Sequence, residues 1–228
     1  MAIGAFIKGE SGVFQVDGEN QAINLKNVQR IKLKGGDLKA GTSGKQGYYT
    51  EFPTKAHKDT SLIAVDSPTW VRVGGLSSYK ENRNGRLSQP LWVDAGDCIC
   101  YEFGGGGFDW HKSKYGMSIR NKDGIEVFNT NWEMMKILDQ FFLSPVENFN
   151  YQIPPGKKVA AFMGGGLQGQ WGDGAFSSYS CYFMRRNGQT IEFRYKDATI
   201  QSGPWEGNEL LYYPLFIIII DVTDYPVP

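Results

Sequence analysis

Two stretches of this chain repeat one pattern about half its length apart. "IGAFIKGESGVFQVD" (Ile3–Asp17) and "YGMSIRNKDGIEVFN" (Tyr115–Asn129) both place glycine second, isoleucine fifth, a cation sixth and glycine tenth. An aliphatic residue stands eleventh in each, and Asp or Asn stands last. Each has the form of a β-hairpin: a short run, a polar turn ending in glycine, and a second run. In "NKDG" a type I turn followed by Gly124 in the left-handed region closes the hairpin, and Gly12 of "GESG" is placed to do the same. Alternation sets Met117 and Ile119 on one side of their strand and Ser118 and Arg120 on the other. A chain that opens two segments alike is expected to repeat the later elements of each segment too.

The echo continues downstream. "YYTEFPTKAHKDTSLIAVDS" (Tyr48–Ser67) parallels "NYQIPPGKKVAAFMGG" (Asn150–Gly165), with Tyr49 matching Tyr151 and Pro53 matching Pro154 ahead of a basic turn and an apolar strand. "TWVRVGG" parallels "SCYFMRR", and "QPLWVDAGDCICYEF" parallels "YYPLFIIIIDVTDY". Loop lengths drift while the order of elements holds. The break falls in "FGGGGFDWHKSKYG" (Phe103–Gly116), where four glycines and a basic, polar stretch make a flexible joint. The expected fold is all-β: two tandem antiparallel β-sandwich modules, jelly-roll-like and related by internal duplication. They occupy residues 1–108 and 116–228, with a linker at 109–115, and each has roughly seven or eight short strands.

Composition agrees with this. Glycine supplies 29 of 228 residues and aromatics 14%, the mixture of turn formers and flat side chains that pleated surfaces use. Helical periodicity is poor. "TNWEMMKILDQFF" (Thr130–Phe142) is the one tempting helix, but its first-half counterpart, "ENQAINLKNVQRIKL", reads as extended, and both are assigned so. "LFIIIIDV" (Leu215–Val222) is far too short to span a bilayer and reads as a buried strand. The start, "MAIGAFIKGE", lacks the long apolar run of a signal peptide.

Formal net charge is zero, so no overall field directs the chain toward nucleic acid or into a membrane. Residues 1–114 carry 15 Lys+Arg against 12 Asp+Glu, and the remainder 9 against 12, a weak head-to-tail asymmetry of +3 and −3. The three cysteines make no disulfide framework. Cys98 and Cys100 share one strand face and are badly aimed to bridge each other. They and Cys181 read as small apolar fillers in a protein made in a reducing cytosol.

No catalytic constellation stands out. His57 and His111 lie in a turn and in the joint, cysteine and histidine lack zinc-ligand spacing, and G-x-S-x-G, P-loop and H-E-x-x-H patterns are missing. The expectation is therefore a non-enzyme with no cofactor and no metal. The candidate binding element is "MGGGLQGQWGDGAFSSYS" (Met163–Ser180), six glycines among Trp171, Phe176 and Tyr179, joined by Trp205 in "SGPWEGNE". Exposed on glycine-rich tips, these aromatics and Trp110 suit stacking on a sugar face or plugging a partner's pocket. The competing reading is a long hairpin connection whose Trp171 tucks back onto its own module.

"YGMSIRNKDG" and "IGAFIKGESG" resemble the opening of a family of tailed-phage tail proteins. These begin with a G-x-x-[IV]-x-x-x-x-G-x-x-x-[FD] hairpin, usually once per chain, and continue as small β-sandwich modules. They occur among the tail-tip and minor tail genes of long-tailed phages and prophages. The resemblance covers about fifteen residues of each half and implies a structural virion component near the tail tip, assembled in the host cytoplasm. The partners it implies are other tail proteins (hub or fibre) and further copies of the chain, and by extension a host-surface glycan or outer-membrane protein. It carries over no catalytic residue. The alternative is a lectin-like, carbohydrate-binding adhesin without enzymatic activity.

Overall fold

The computed structural model describes residues 4–9, 12–17, 23–32, 48–53, 62–73, 80–81, 87–93, 96–104, 115–144, 148–165, 168–173, 177–200, 206–211 and 214–227. Among them every regular element is a strand. The chain opens with the hairpin β1 (Gly4–Gly9) and β2 (Gly12–Asp17). It continues through β3 (Asn24–Lys32), β4 (Tyr48–Pro53), β5 (Leu62–Asp66), β6 (Val71–Val73), β7 (Lys80–Glu81), β8 (Leu87–Val93) and β9 (Asp97–Gly104). A second hairpin, β10 (Ser118–Arg120) and β11 (Glu126–Asn129), opens the other half. Then come β12 (Lys136–Leu143), β13 (Phe149–Gln152), β14 (Val159–Gly165), β15 (Gln168–Asp173) and β16 (Ser177–Asn187). β17 (Thr190–Ile200), β18 (Glu206–Leu211) and β19 (Leu215–Asp221) complete the chain.

The turn chemistry of the second hairpin is visible atom by atom. The Asn121 side-chain oxygen accepts from the backbone N–H of Asp123 at 3.0 Å and of Ile125 at 2.9 Å. Gly124 sits at φ +78° with open space where a side chain would go. The first hairpin is tighter than its echo, since Gly9 pairs directly with Gly12 and only two residues lie between them.

Beyond the hairpins the strands form two large antiparallel sheets. One has the order β12-β19-β14-β5-β9-β3. The other has the order β13-β17-β16-β6-β8-β4, with β7 beside β8, β15 beside β16 and β18 beside β15. Each sheet takes strands from both halves of the chain. At the seam β14 meets β5 through Ala161 opposite Val65, and β16 meets β6 through Met184 opposite Val71. Outward from the seam the first sheet reads β5, β9, β3 on one side and β14, β19, β12 on the other. The second reads β6, β8, β4 and β16, β17, β13. The sequence boundary places residues 1–108 and 116–228 in separate modules; in the structure both sheets run across from one half into the other. Residues 109–114 of the expected linker lie outside the described set.

Alternation explains the layering. Leu215, Ile217 and Ile219 of β19 face the second sheet and pack with Val65, Cys100, Ala161, Met184 and Phe193. Ile218 and Ile220 face the other way, onto Leu25, Tyr101, Phe103, Phe162 and Tyr225. A strand covered on both faces has no polar side to show, which is why β19 is an unbroken apolar run. Each such side chain contributes about 1.5–3 kcal/mol of transfer free energy. Cys98 and Cys100 lie on one face inside the inter-sheet core, sulfur to sulfur 3.8 Å, and burial pushes the Cys100 thiol well up. The side chain of Cys181 lies outside the described residues.

The first sheet also curls until β3 meets the residues that lead into β12. Asn24 of β3 bridges Met134, just ahead of β12; Leu25 N–H donates to Glu133 O at 2.7 Å and Met135 N–H to Ile23 O at 3.1 Å. A bulge between Leu25 and Asn27 turns both Leu25 and Val28 into the concave side. It leaves Lys26 buried, its ammonium 6.0 Å from the Trp132 ring centre. Burial lowers that ammonium's pKa to about 8, against the opposing charge of Glu102.

Candidate interaction surface

The expected binding element is built differently from a loop. The backbone of Gln168–Asp173 is a strand paired on both edges, to β16 and to β18. Trp171 lies on it opposite Ser178 and Asn208, and Tyr179 lies on β16 opposite Gln170 and Ala198. Gly169 and Gly172 of "QGQWGD" leave the backbone free to extend, and two flanking strands absorb its N–H and C=O groups. Trp171 and Tyr179 are thus brought to neighbouring strands of one sheet. Their side chains, and Phe176, Trp205 and Trp110 altogether, lie outside the described residues, as do His57 and His111.

The exposed apolar surface that the structure does describe is on β12. This strand ends the first sheet; β3 holds residues 133–135, which lead into it, and from Lys136 on nothing among the described strands pairs with its outer edge. A bulge at Leu138 divides it. Before the bulge Ile137 pairs with Ile220, and after it Phe142 pairs with Phe216, so both point to the face away from the second sheet. Ile137 is 50% exposed, Leu138 36% and Phe142 72%. Phe142 stacks on Phe216 at 4.7 Å, and Phe216 leans on Phe162 at 6.4 Å, so the strip continues as an aromatic row into the covered surface.

The opposite face of β12 is anchored in the core. Phe141 meets Phe149 at 4.7 Å and Tyr151 at 5.8 Å, closing the sandwich at this side. Burial and then the charge of Asp139 raise the pKa of Tyr151. At the start of the strand Lys136 pairs with Asp224 at 3.2 Å and lies 5.6 Å from the Tyr225 ring centre. The Tyr225 hydroxyl donates to Met134 O at 2.5 Å, and burial raises its pKa. A second exposed set, Tyr115, Met117 and Ile125, surrounds the β10–β11 hairpin.

By sequence this segment reads as extended, with nothing to single it out as a surface. The signal it carries is "KILDQFFL", with apolar residues on both faces of one strand. Periodicity cannot separate a strand buried on both faces from one that shows an apolar face to solvent.

Among the described residues no group of three or more His, Cys, Asp or Glu is placed to hold a metal, and no helix is long and apolar enough to cross a membrane. Comparison of the chain with protein-family models, with curated proteins and with solved structures finds no match.

Proposed function

We propose that the chain is a structural subunit of a phage tail, built from two duplicated β modules and assembled with further copies of itself through the β12 strip. The observation that carries the assembly reading is the exposed set Ile137, Leu138 and Phe142, interrupted by Gln140, on a strand whose outer edge nothing pairs from Lys136 on among the described strands. Exposed apolar side chains gathered on one strand in this way mark a contact surface. The +3 and −3 halves favour a head-to-tail arrangement of copies, which closes into a ring or extends along a tail. The tail setting rests on the hairpin resemblance at Ile3–Asp17 and Tyr115–Asn129.

The duplication is supported by the matching strand orders outward from the seam, which pair β5 with β14, β9 with β19 and β6 with β16 as the sequence echo does. An experimental structure in which the halves fail to superpose strand for strand removes that support. The assembly reading is tested by light scattering of the purified chain across a range of concentrations. A mass of three or six chains, or one growing with concentration, is the expected result. A monomer at every concentration overturns it.

A further inference from the structure

The seam between the halves holds a cleft of about 270 Å³ that the assembly surface does not use; β12 contributes nothing to it. Asp66, Ile99 and Tyr101 line it from the first half, and Ile153, Lys158 and Arg186 from the second. Arg186 is locked across the seam. Its Nε donates to Asp66 Oδ1 at 2.6 Å and its backbone N–H donates to Ser67 O at 2.6 Å. That leaves both terminal guanidinium nitrogens of Arg186 and the second oxygen of Asp66 without a partner among the described residues. The neighbouring Lys157 is engaged by Asp221 at 2.8 Å, whereas the Lys158 ammonium has no ion pair among the described residues. Tyr101 is 2% exposed, with its ring against Tyr225 at 6.2 Å, and its hydroxyl makes no hydrogen bond among the described residues.

These groups define a ligand. The free guanidinium nitrogens and the ammonium ask for a carboxylate. The spare Asp66 oxygen is an acceptor only and asks for hydroxyl donors beside the anionic group. Ile99 and Ile153 offer apolar wall for C–H faces. The volume is near the lower end of small-molecule sites, enough for one ring and not for a chain. We infer that the cleft binds a single acidic sugar residue, its carboxylate on Arg186 and Lys158 and its hydroxyls on Asp66 and Tyr101. The residue is either a free sugar acid or the terminal unit of a polysaccharide.

The test is isothermal titration calorimetry of the whole 228-residue chain with D-glucuronate, with glucose and acetate as controls, and with a trisaccharide ending in glucuronate. Glucuronate is expected to bind at least about tenfold more tightly than either control, because each control lacks one half of the recognition. Lys158→Gln, at an exposed position that leaves the fold intact, is expected to weaken binding about three- to tenfold, with the effect shrinking at high salt. Tyr101→Phe is expected to weaken it about fivefold. Trisaccharide affinity equal to or above that of glucuronate identifies a polymer terminus, and affinity for the monosaccharide alone identifies a free acid. Absence of saturable glucuronate binding at millimolar concentration overturns the inference, as does binding that neither variant changes. A chain that stays monomeric yet binds glucuronate refutes the assembly reading alone.

Discussion

Phe142→Ser separates the two jobs that a surface aromatic can do. An aromatic side chain buries ~150–250 Å² when fully covered. With Phe142 72% exposed, a docking neighbour has roughly 130 Å² of it left to cover, worth about 3 kcal/mol at ~25 cal/mol/Å². That corresponds to about a hundredfold in the association constant for each such contact. Within the monomer the ring contributes its stacking on Phe216 at 4.7 Å and a small covered area, together about 1 kcal/mol. The variant is therefore expected to fold, to melt only a few degrees lower, and to dissociate at concentrations where the wild type is assembled. Sedimentation equilibrium beside urea melts reads both quantities on one sample. Unchanged association refutes the assignment of β12 as the contact. Loss of several kcal/mol of stability with association intact shows that Phe142 serves the fold instead.

Local chemistry sets three further outcomes. Gly124→Ala meets no neighbour but is forced to hold φ +78°, so it is expected to cost about 1 kcal/mol, seen as faster amide exchange in the β10–β11 hairpin. At Asp221 burial raises the carboxyl pKa, but hydrogen bonds from Lys157 and Thr223 outweigh it and leave it lowered from 3.8; the stability this supplies is complete above the unfolded value and is lost as pH falls through the folded one. Asp221→Asn is thus expected to flatten, in part, the loss of stability in acid below about pH 4, as read by urea midpoints; the Asn187 and Arg185 hydrogen bonds that lower Glu192 in the same direction remain. At Lys26 the sign reverses: the folded ammonium titrates at about 8 and the unfolded one at 10.5, so the unfolded chain holds more protons between them and stability rises with pH across that window. Lys26→Met is expected to remove this rise between about pH 8 and 10, below the range in which the raised tyrosines titrate; a variant whose stability still climbs there places the titrating group elsewhere.

Much of the fold was legible because β structure writes itself in local pattern. Glycine and aromatic content, short alternating runs and the "NKDG" turn pointed to antiparallel strands, and Gly124 does sit in the left-handed region with Asn121 capping the turn. The period of two put Cys98 and Cys100 on one face, and the run "FIIII" marked a strand covered on both sides. The glycine-rich stretch around Trp171 misled for the same local reason. Glycine signals a loop when only its own freedom is considered, whereas β16 and β18, its neighbours in the sheet, hold it extended.

What the sequence alone determined is the inventory: an all-β chain, its two hairpins and a deeply buried strand at Leu215–Asp221. What the tertiary structure decided is adjacency. The Val65–Ala161 and Val71–Met184 pairings carry both sheets across the seam, the curl brings β3 to Met134, and β12 is left at an edge with Phe142 in view. None of these has a local signature. An apolar side chain has the same pattern whether a strand, a second sheet or a neighbouring molecule covers it, and only the arrangement of distant strands settles which faces remain. The Asp66–Arg186 pair arises the same way: its members stand 120 residues apart, and the cleft beside it exists only where the two halves meet.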